Sequence, residues 1–245
     1  EKHTRKINDY EYKRWTYFFL DSLYRAQFPK LDSNGKHIID PNKIITEIEV
    51  YKSDAYYETK KEGSFYAWAT PRGDPDNPDT TKTSSEIYSG YFIRLEPNVD
   101  YFLMPLIGSI IMKMPLQDSE VLAVAYRDSS GKSYGTLISE NPNSSSTPIF
   151  KLIKAKGPHP SYKTWNLEWK NVYDLGVGQI TSEDFEEGFE INIYHKTGGS
   201  GNDEQAIKLN SGQTVGFLKI FGLDNKDKNG NDKSDNKIDD NPNII

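Results

Sequence analysis

The chain has 245 residues, enough to bury a real core as one large domain or as two small ones. Its formal charge is -6, from 30 Lys and Arg against 36 Asp and Glu with no basic run, which argues against the cationic stripe that nucleic-acid binding needs. There is no cysteine, so disulfides, thiolate chemistry and Cys-type zinc sites are excluded.

In chain order, residues 9–28 come first. Tyr12, Trp15, Phe19, Leu23 and Ala26 form an apolar stripe at three- and four-residue steps, widened by Phe18 and followed by Pro29. The spacing predicts an amphipathic helix. Asp9, Glu11 and Asp21 lie among its bases, which favours packing on a sheet over lying on a membrane surface. Asn34-Gly35 signals a turn, and period-two alternation follows. Ile44, Thr46, Ile48 and Val50 oppose Glu47 and Glu49; Phe65, Ala67 and Ala69 oppose Tyr66 and Trp68; Tyr91, Ile93 and Leu95 oppose Arg94 and Glu96.

The apolar run from Tyr101 to Leu116 is interrupted by Pro105, Lys113 and Pro115. It falls short of the ~18 to 20 apolar residues of a membrane-spanning helix. Residues 121–126 read as a continuous apolar strand, and 135–139, 148–155, 189–195 and 215–221 as further strands, with Phe189, Ile191 and Ile193 on one inner face. Thr164 as N-cap, helical spacing of Trp165, Trp169, Val172 and Tyr173, and a stop at Gly176 predict a short helix over 164–175. Pro/Asp-rich residues 70–81 and the polar stretches 141–148 and 198–203 read as loops.

These elements predict a mainly β fold, an antiparallel β-sandwich or jelly-roll-like domain with two short amphipathic helices, about 9–28 and 164–175. Residues 1–223 form the single β-rich domain in this reading, and 224–245 an Asp/Asn-rich loop leading out of it. The many alternating, aromatic-girdled segments of an outer-membrane barrel are missing. Glu1-Lys-His-Thr-Arg-Lys6 reads as the middle of a longer chain or a mature end, and Asn241-Pro-Asn-Ile-Ile245 as a strand cut short. The chain is expected to be a fragment.

Several phrases carry a likeness. They are Trp15-Thr-Tyr-Phe-Phe-Leu-Asp-Ser-Leu-Tyr24, Ile48-Glu-Val-Tyr51, Gly90-Tyr-Phe-Ile-Arg-Leu-Glu-Pro97, Trp165-Asn-Leu-Glu-Trp-Lys-Asn-Val-Tyr-Asp-Leu-Gly176 and Phe217-Leu-Lys-Ile-Phe-Gly-Leu-Asp224. In this order, from about residue 10 onward, they resemble the SprA/Sov family of giant outer-membrane proteins of the type IX secretion system and gliding motility. The resemblance implies a translocon in which a closed barrel passes folded client proteins outward while partner proteins gate its openings. This chain would be a water-exposed portion, facing periplasm or cell exterior. Its partners would be the rest of its parent chain, secretion-system proteins and secreted clients.

One segment has the composition of a metal site. Calcium takes six to eight oxygen ligands, which Asp and Asn curled around a glycine can supply. With Gly230 at the sixth position of an EF-hand-type loop, Asn225, Asp227 and Asn229 take the first, third and fifth, but Lys233 and Asn236 then stand where oxygen ligands belong. A looser loop would draw on Asp224, Asp227, Asn229, Asp232 and Asp235, with Asp239 beyond. A solvated linker is the alternative reading. His3, His37, His159 and His195 have no metal spacing, Gly131-Lys132-Ser133 lacks the first glycine of a phosphate loop, and Arg72-Gly73-Asp74 is too short to imply adhesion. No catalytic constellation stands out, so the expectation is a non-enzyme: a translocon segment, or alternatively a secreted carbohydrate- or ligand-binding β-sandwich module stabilised by calcium.

Overall fold

The computed structural model describes residues 4–28, 30, 38–54, 62–77, 86–140, 142–178, 180–196 and 203–239. The fold is mainly β with antiparallel pairing. The chain divides into two compact units, residues 1–175 and 176–245. The division therefore falls at Leu175/Gly176 rather than at 223/224, and the Asp/Asn-rich loop belongs to a second unit that also holds two hairpins.

The first unit is built from β1 (Tyr17–Phe19), α1 (Ser22–Gln27), β2 (Ile45–Asp54), β3 (Phe65–Thr70), β4 (Tyr88–Arg94), β5 (Tyr101–Met104), β6 (Ser109–Met112), β7 (Glu120–Asp128), β8 (Ser133–Tyr134) and β9 (Ile149–Lys154). Five of these strands close on themselves in the order β2–β4–β3–β9–β7, and β7 pairs back onto β2 from Ile45↔Asp128 to Asp54↔Glu120. Around a ring of five, alternation of strand direction must fail once. It fails at β3–β9, the parallel pairing in the register Trp68↔Ile149 to Thr70↔Lys151. The expected sheet thus curls into a barrel instead of splitting into two layers.

The lumen explains the closure. All five strands contribute to one buried cluster that includes Tyr51, Ala67, Ala69, Phe92, Ala123, Ala125 and Phe150. A five-stranded barrel is narrow, so its interior accepts a few rings only where alanines make room. Phe150 stacks on Tyr51 at 4.0 Å and meets Phe92 edge-on at 5.5 Å. A second cluster lies on the barrel's outer surface, where Val50, Leu122, Val124, Tyr126 and Ile153 meet Phe18, Leu20, Tyr24, Tyr101 and Ile110. The covering layer is the small sheet β1–β6–β5 with α1. Because β7 is covered on both faces, all but one of its residues are buried and its sequence shows no alternation.

Two expected helices take other forms. Residues 9–28 give a 3₁₀ turn at Asp9–Glu11, then β1, then α1, which Asp21 starts by accepting a bond from Leu23 N at 2.9 Å. Trp15 has φ +54, which no helix tolerates, and Phe18 and Phe19 are both buried because the strand has packing on each side. The aromatic stripe at helical spacing was a by-product of a strand rich in rings. Over 164–175 the helix shrinks to a 3₁₀ turn, Lys163–Leu167, with Thr164 inside it rather than capping it. Thr164 instead gives its N–H to Glu86, and Trp169 N bonds Tyr17 O, drawing the chain out beside β1.

Other segments differ too. The run 101–116 is the β5–β6 hairpin, turned at Gly108, whose φ is +57 and whose added Cβ would stand 2.3 Å from the Tyr24 ring. The expected strand 135–139 does not form: β8 ends at Tyr134 and residues 138–140 make a 3₁₀ turn. In the second unit lie α2 (Ser182–Glu186), β10 (His195–Lys196), β11 (Asp203–Glu204), β12 (Ala206–Lys208), β13 (Thr214–Gly216) and α3 (Phe217–Ile220). Of the expected strand 189–195 only its end is paired, and the one over 215–221 becomes helical after Gly216. Leu218 and Ile238 are the buried hydrophobics there among the described residues.

Candidate functional site

Four places concentrate chemistry, beginning with the barrel lumen. Glu49 is 1% exposed and points inward from β2. Its carboxylate accepts the Tyr51 hydroxyl at 2.5 Å, Ile138 N at 2.7 Å and Ser139 N at 3.0 Å, with Arg94 at 3.2 Å. Burial pushes its pKa up, but the bonds from Tyr51, Ser139 and Ile138 outweigh that and hold it below the ordinary carboxylate range. These same bonds pull 138–140 into its 3₁₀ turn. Both oxygens of Glu49 are thus engaged by groups of the fold.

The second place is a cleft where the segment around Trp15 meets the end of β9. Lys154, 3% exposed, donates to the carbonyls of Asp118 (3.1 Å), Glu120 (2.7 Å) and Ala155 (3.2 Å). Burial drives its pKa down to about 8 against the opposing pull of Asp118, Glu120 and Glu168. Lys154 (4.9 Å) and Arg14 (4.1 Å) both lie over the Trp15 ring, and Glu168 accepts Trp15 N at 2.7 Å. The cleft between Trp15 and Trp165 encloses about 10 Å³, room for about one water molecule. It is a knot that welds three segments, too small to admit a substrate. Two lysines, 151 and 154, inside the otherwise apolar run 148–155 were the sequence signal for this knot. The other, Lys151, is buried and paired with Asp21 at 2.6 Å.

Third is the Asp/Asn-rich loop. Asp224 is fully buried and accepts Ser234 Oγ, Asp235 N at 3.0 Å and Asn236 N at 2.9 Å. Asp227 accepts Asn229 N at 2.8 Å, Asn231 N at 3.0 Å and the Asn231 amide. Asp235 accepts Lys237 N at 3.1 Å, while the side chains of Asn229 and Asp232 lie on the exposed surface of the loop. Asp239, which bonds Asn225 N at 2.9 Å and Lys226 N at 3.1 Å, ties the two ends together. The carboxylates thus close the loop through its own amides, and among the described residues no three His, Cys, Asp or Glu side chains converge as a metal cage.

The fourth place is a flank of the barrel. The outer cluster draws on β2, β4, β7 and β9 but on no residue of β3. Tyr66 and Trp68 of β3, outward by alternation with Ala67 and Ala69, are joined by Tyr91 of β4 in the register Tyr66↔Tyr91. Their tyrosine rings meet edge-on at 5.7 Å, and Tyr66 is 45% exposed. Ser89 faces Trp68. The outward positions of these strands carry no charge.

Smaller motifs resolve into structure. Gly73 packs with no room for a Cβ against the Lys151 backbone, and Asp74 caps its own turn through Asp76 N and Asn77 N. Residues 129–132 form the β7–β8 turn, stapled by Asp128, which accepts Lys43 Nζ at 2.9 Å and Lys132 N at 3.2 Å. His159 Nδ1 bonds Ser161, and His195 lies exposed in β10; His3 and His37 fall outside the described residues. No described helix is long and apolar enough to cross a membrane. Comparison with protein-family models finds no match, and comparison with curated proteins finds none either.

Proposed function

We propose that this chain is a non-catalytic, water-exposed segment of an outer-membrane protein-translocation channel of the type IX secretion and gliding-motility kind, acting through shape and partner contact. The observation that carries the contact role is the aromatic flank of Tyr66, Trp68 and Tyr91, with Tyr66 exposed and the other two half-buried among the described residues. Rings held on rigid strands present much apolar area at little rotamer cost, which suits recurrent protein contacts. The saturated state of Glu49, Asp128 and Lys154 supports a non-catalytic role, since each already serves the fold. The transport setting rests on the resemblance of the five quoted phrases. Contacts would run to the remainder of the parent chain, to secretion-system proteins and to secreted clients.

An antibody against this segment, used on outer-membrane and secreted fractions of the source cells, tests the proposal. The expected result is a band far larger than 28.0 kDa that needs detergent for extraction. A soluble band near 28.0 kDa would overturn the reading. It would favour the secreted glycan-binding module, which the same flank would serve by stacking on sugar rings. Binding to a glycan array that is lost in Tyr66→Ala would then identify it.

A further inference from the structure

The two short ladders of the second unit are joined end to end through Gln205. β10 pairs with β11 in the register His195↔Glu204 and Lys196↔Asp203. After the single bent residue Gln205, β12 pairs with β13 in the register Ala206↔Gly216 to Lys208↔Thr214. Continued inward, the first register sets residues 194 to 190 opposite 205 to 209. In the second ladder, Phe217 N bonds Gln205 O at 2.9 Å and Leu209 N bonds Gln213 O at 2.8 Å. Odd-numbered residues of the middle strand therefore turn their backbone groups toward β13. By alternation, Ala206 and Lys208 turn theirs to the opposite edge, which carries no strand among the described residues.

The segment that this register brings to the edge, Phe189-Glu-Ile-Asn-Ile-Tyr194, alternates apolar and polar residues but forms no ladder before His195. One contact between them is already made: Gln205 Nε2 donates to Asn192 Oδ1 at 3.4 Å. In the continued register residue 205 faces 194, so 205 and 192 are diagonal neighbours on one face, where such side chains meet.

We propose that residues 189–194 are a strap that zips onto the free edge of β12, straightening the chain at Gln205. Two marginal ribbons then become one three-stranded antiparallel sheet, the smallest assembly with independent stability. Zipping satisfies the edge groups of Ala206 and Lys208 and removes a template for unwanted pairing. It also places Tyr194 diagonally beside Ile207 on one face; both are exposed in the open form. The inference does not depend on the transport reading.

The chain's lack of cysteine makes the test clean. Across the zipped edge, 192 and 207 form a non-hydrogen-bonded pair with Cα atoms about 4.5 Å apart, within disulfide range. Full-length N192C/I207C should oxidise to a disulfide under mild oxidant, whereas N192C/K208C, one residue out of register and on the other face, should not. K196C/D203C, in the existing ladder, should link in either state. Linking of K196C/D203C without N192C/I207C, or equal yields for N192C/I207C and N192C/K208C, would overturn the strap. Failure of K196C/D203C would overturn the register from which it extends. In the unmodified chain, the Ala206 and Lys208 amides should exchange with deuterium roughly tenfold slower than that of Thr214 on the far edge. Equal rates would refute zipping without any substitution.

Discussion

Glu49 shows how a single buried charge can shape its surroundings. Four groups from three segments converge on it, so Glu49→Gln should weaken all of them and cost about 2–3 kcal/mol, read as a lower urea midpoint at unchanged slope. Tyr126 is the opposite case. Its hydroxyl is buried with no hydrogen-bond partner among the described residues, while its ring stacks on Tyr134 at 4.6 Å. Tyr126→Phe keeps the ring and removes the orphan, so it should leave the melting temperature unchanged or raise stability by about 1 kcal/mol. A clear fall would show that the hydroxyl has a partner in solution. Neither role was legible in the sequence. Glu49 read as the polar side of an alternating strand, and only a barrel closing around it turns that side inward.

At the scale of elements, the β5–β6 hairpin and α1 depend on one glycine. Gly108 combines a left-handed φ with the Tyr24 ring lying over its Cα, so Gly108→Ala meets both backbone strain and a clash. About 3 kcal/mol should be lost, and circular dichroism or a denaturant melt would report it. The strands with alternating patterns, β2, β3 and β4, were legible because each has one face in the lumen and a different environment outside. β1, β5 and β6 were not. Their apolar residues occur on both faces, so period two vanishes and helix or turn becomes the better local reading. The helix expected over 164–175 failed for a related reason: the ring spacing fitted, but the backbone groups at Trp169 were claimed by Tyr17 from a distant strand. In the acidic loop, the Asp and Asn spacing was plain, but not which oxygens the loop would claim for its own amides.

For the whole molecule, pH should act from both ends. Asp21, Glu49 and Asp128 are held below the ordinary carboxylate range by ion-pair and hydrogen-bond partners that outweigh burial. As pH falls, the unfolded chain takes up those protons first, near pH 4, so stability should be full above about pH 4 and decline below it. Tyr24, Tyr51, Tyr101 and Tyr126 are pushed up, chiefly by burial. Above about pH 10 the unfolded chain ionises while the native one does not, so stability should decline there too. Lys154 works the other way between about 8 and its unfolded value, binding its proton less tightly in the native state and adding a shallow rise. Urea midpoints from pH 3 to 11 would trace this profile. The two units should also differ. Residues 176–245 bury few apolar side chains and should melt broadly as a separate peptide, while 1–175 should melt cooperatively; calorimetry on the two pieces would tell.

By itself the sequence determined the mainly β class and the positions of the alternating strands β2, β3 and β4. These depend on local pattern and composition, which a chain carries wherever it folds. Tertiary structure alone decided that the sheet closes into a five-stranded ring, that the opening aromatic segment becomes a strand of the layer covering it, and that the buried charges are spent on the fold. Each of those outcomes depends on burial of both faces of a strand or on a bond between residues far apart in the chain. Neither leaves a periodic trace in the local sequence.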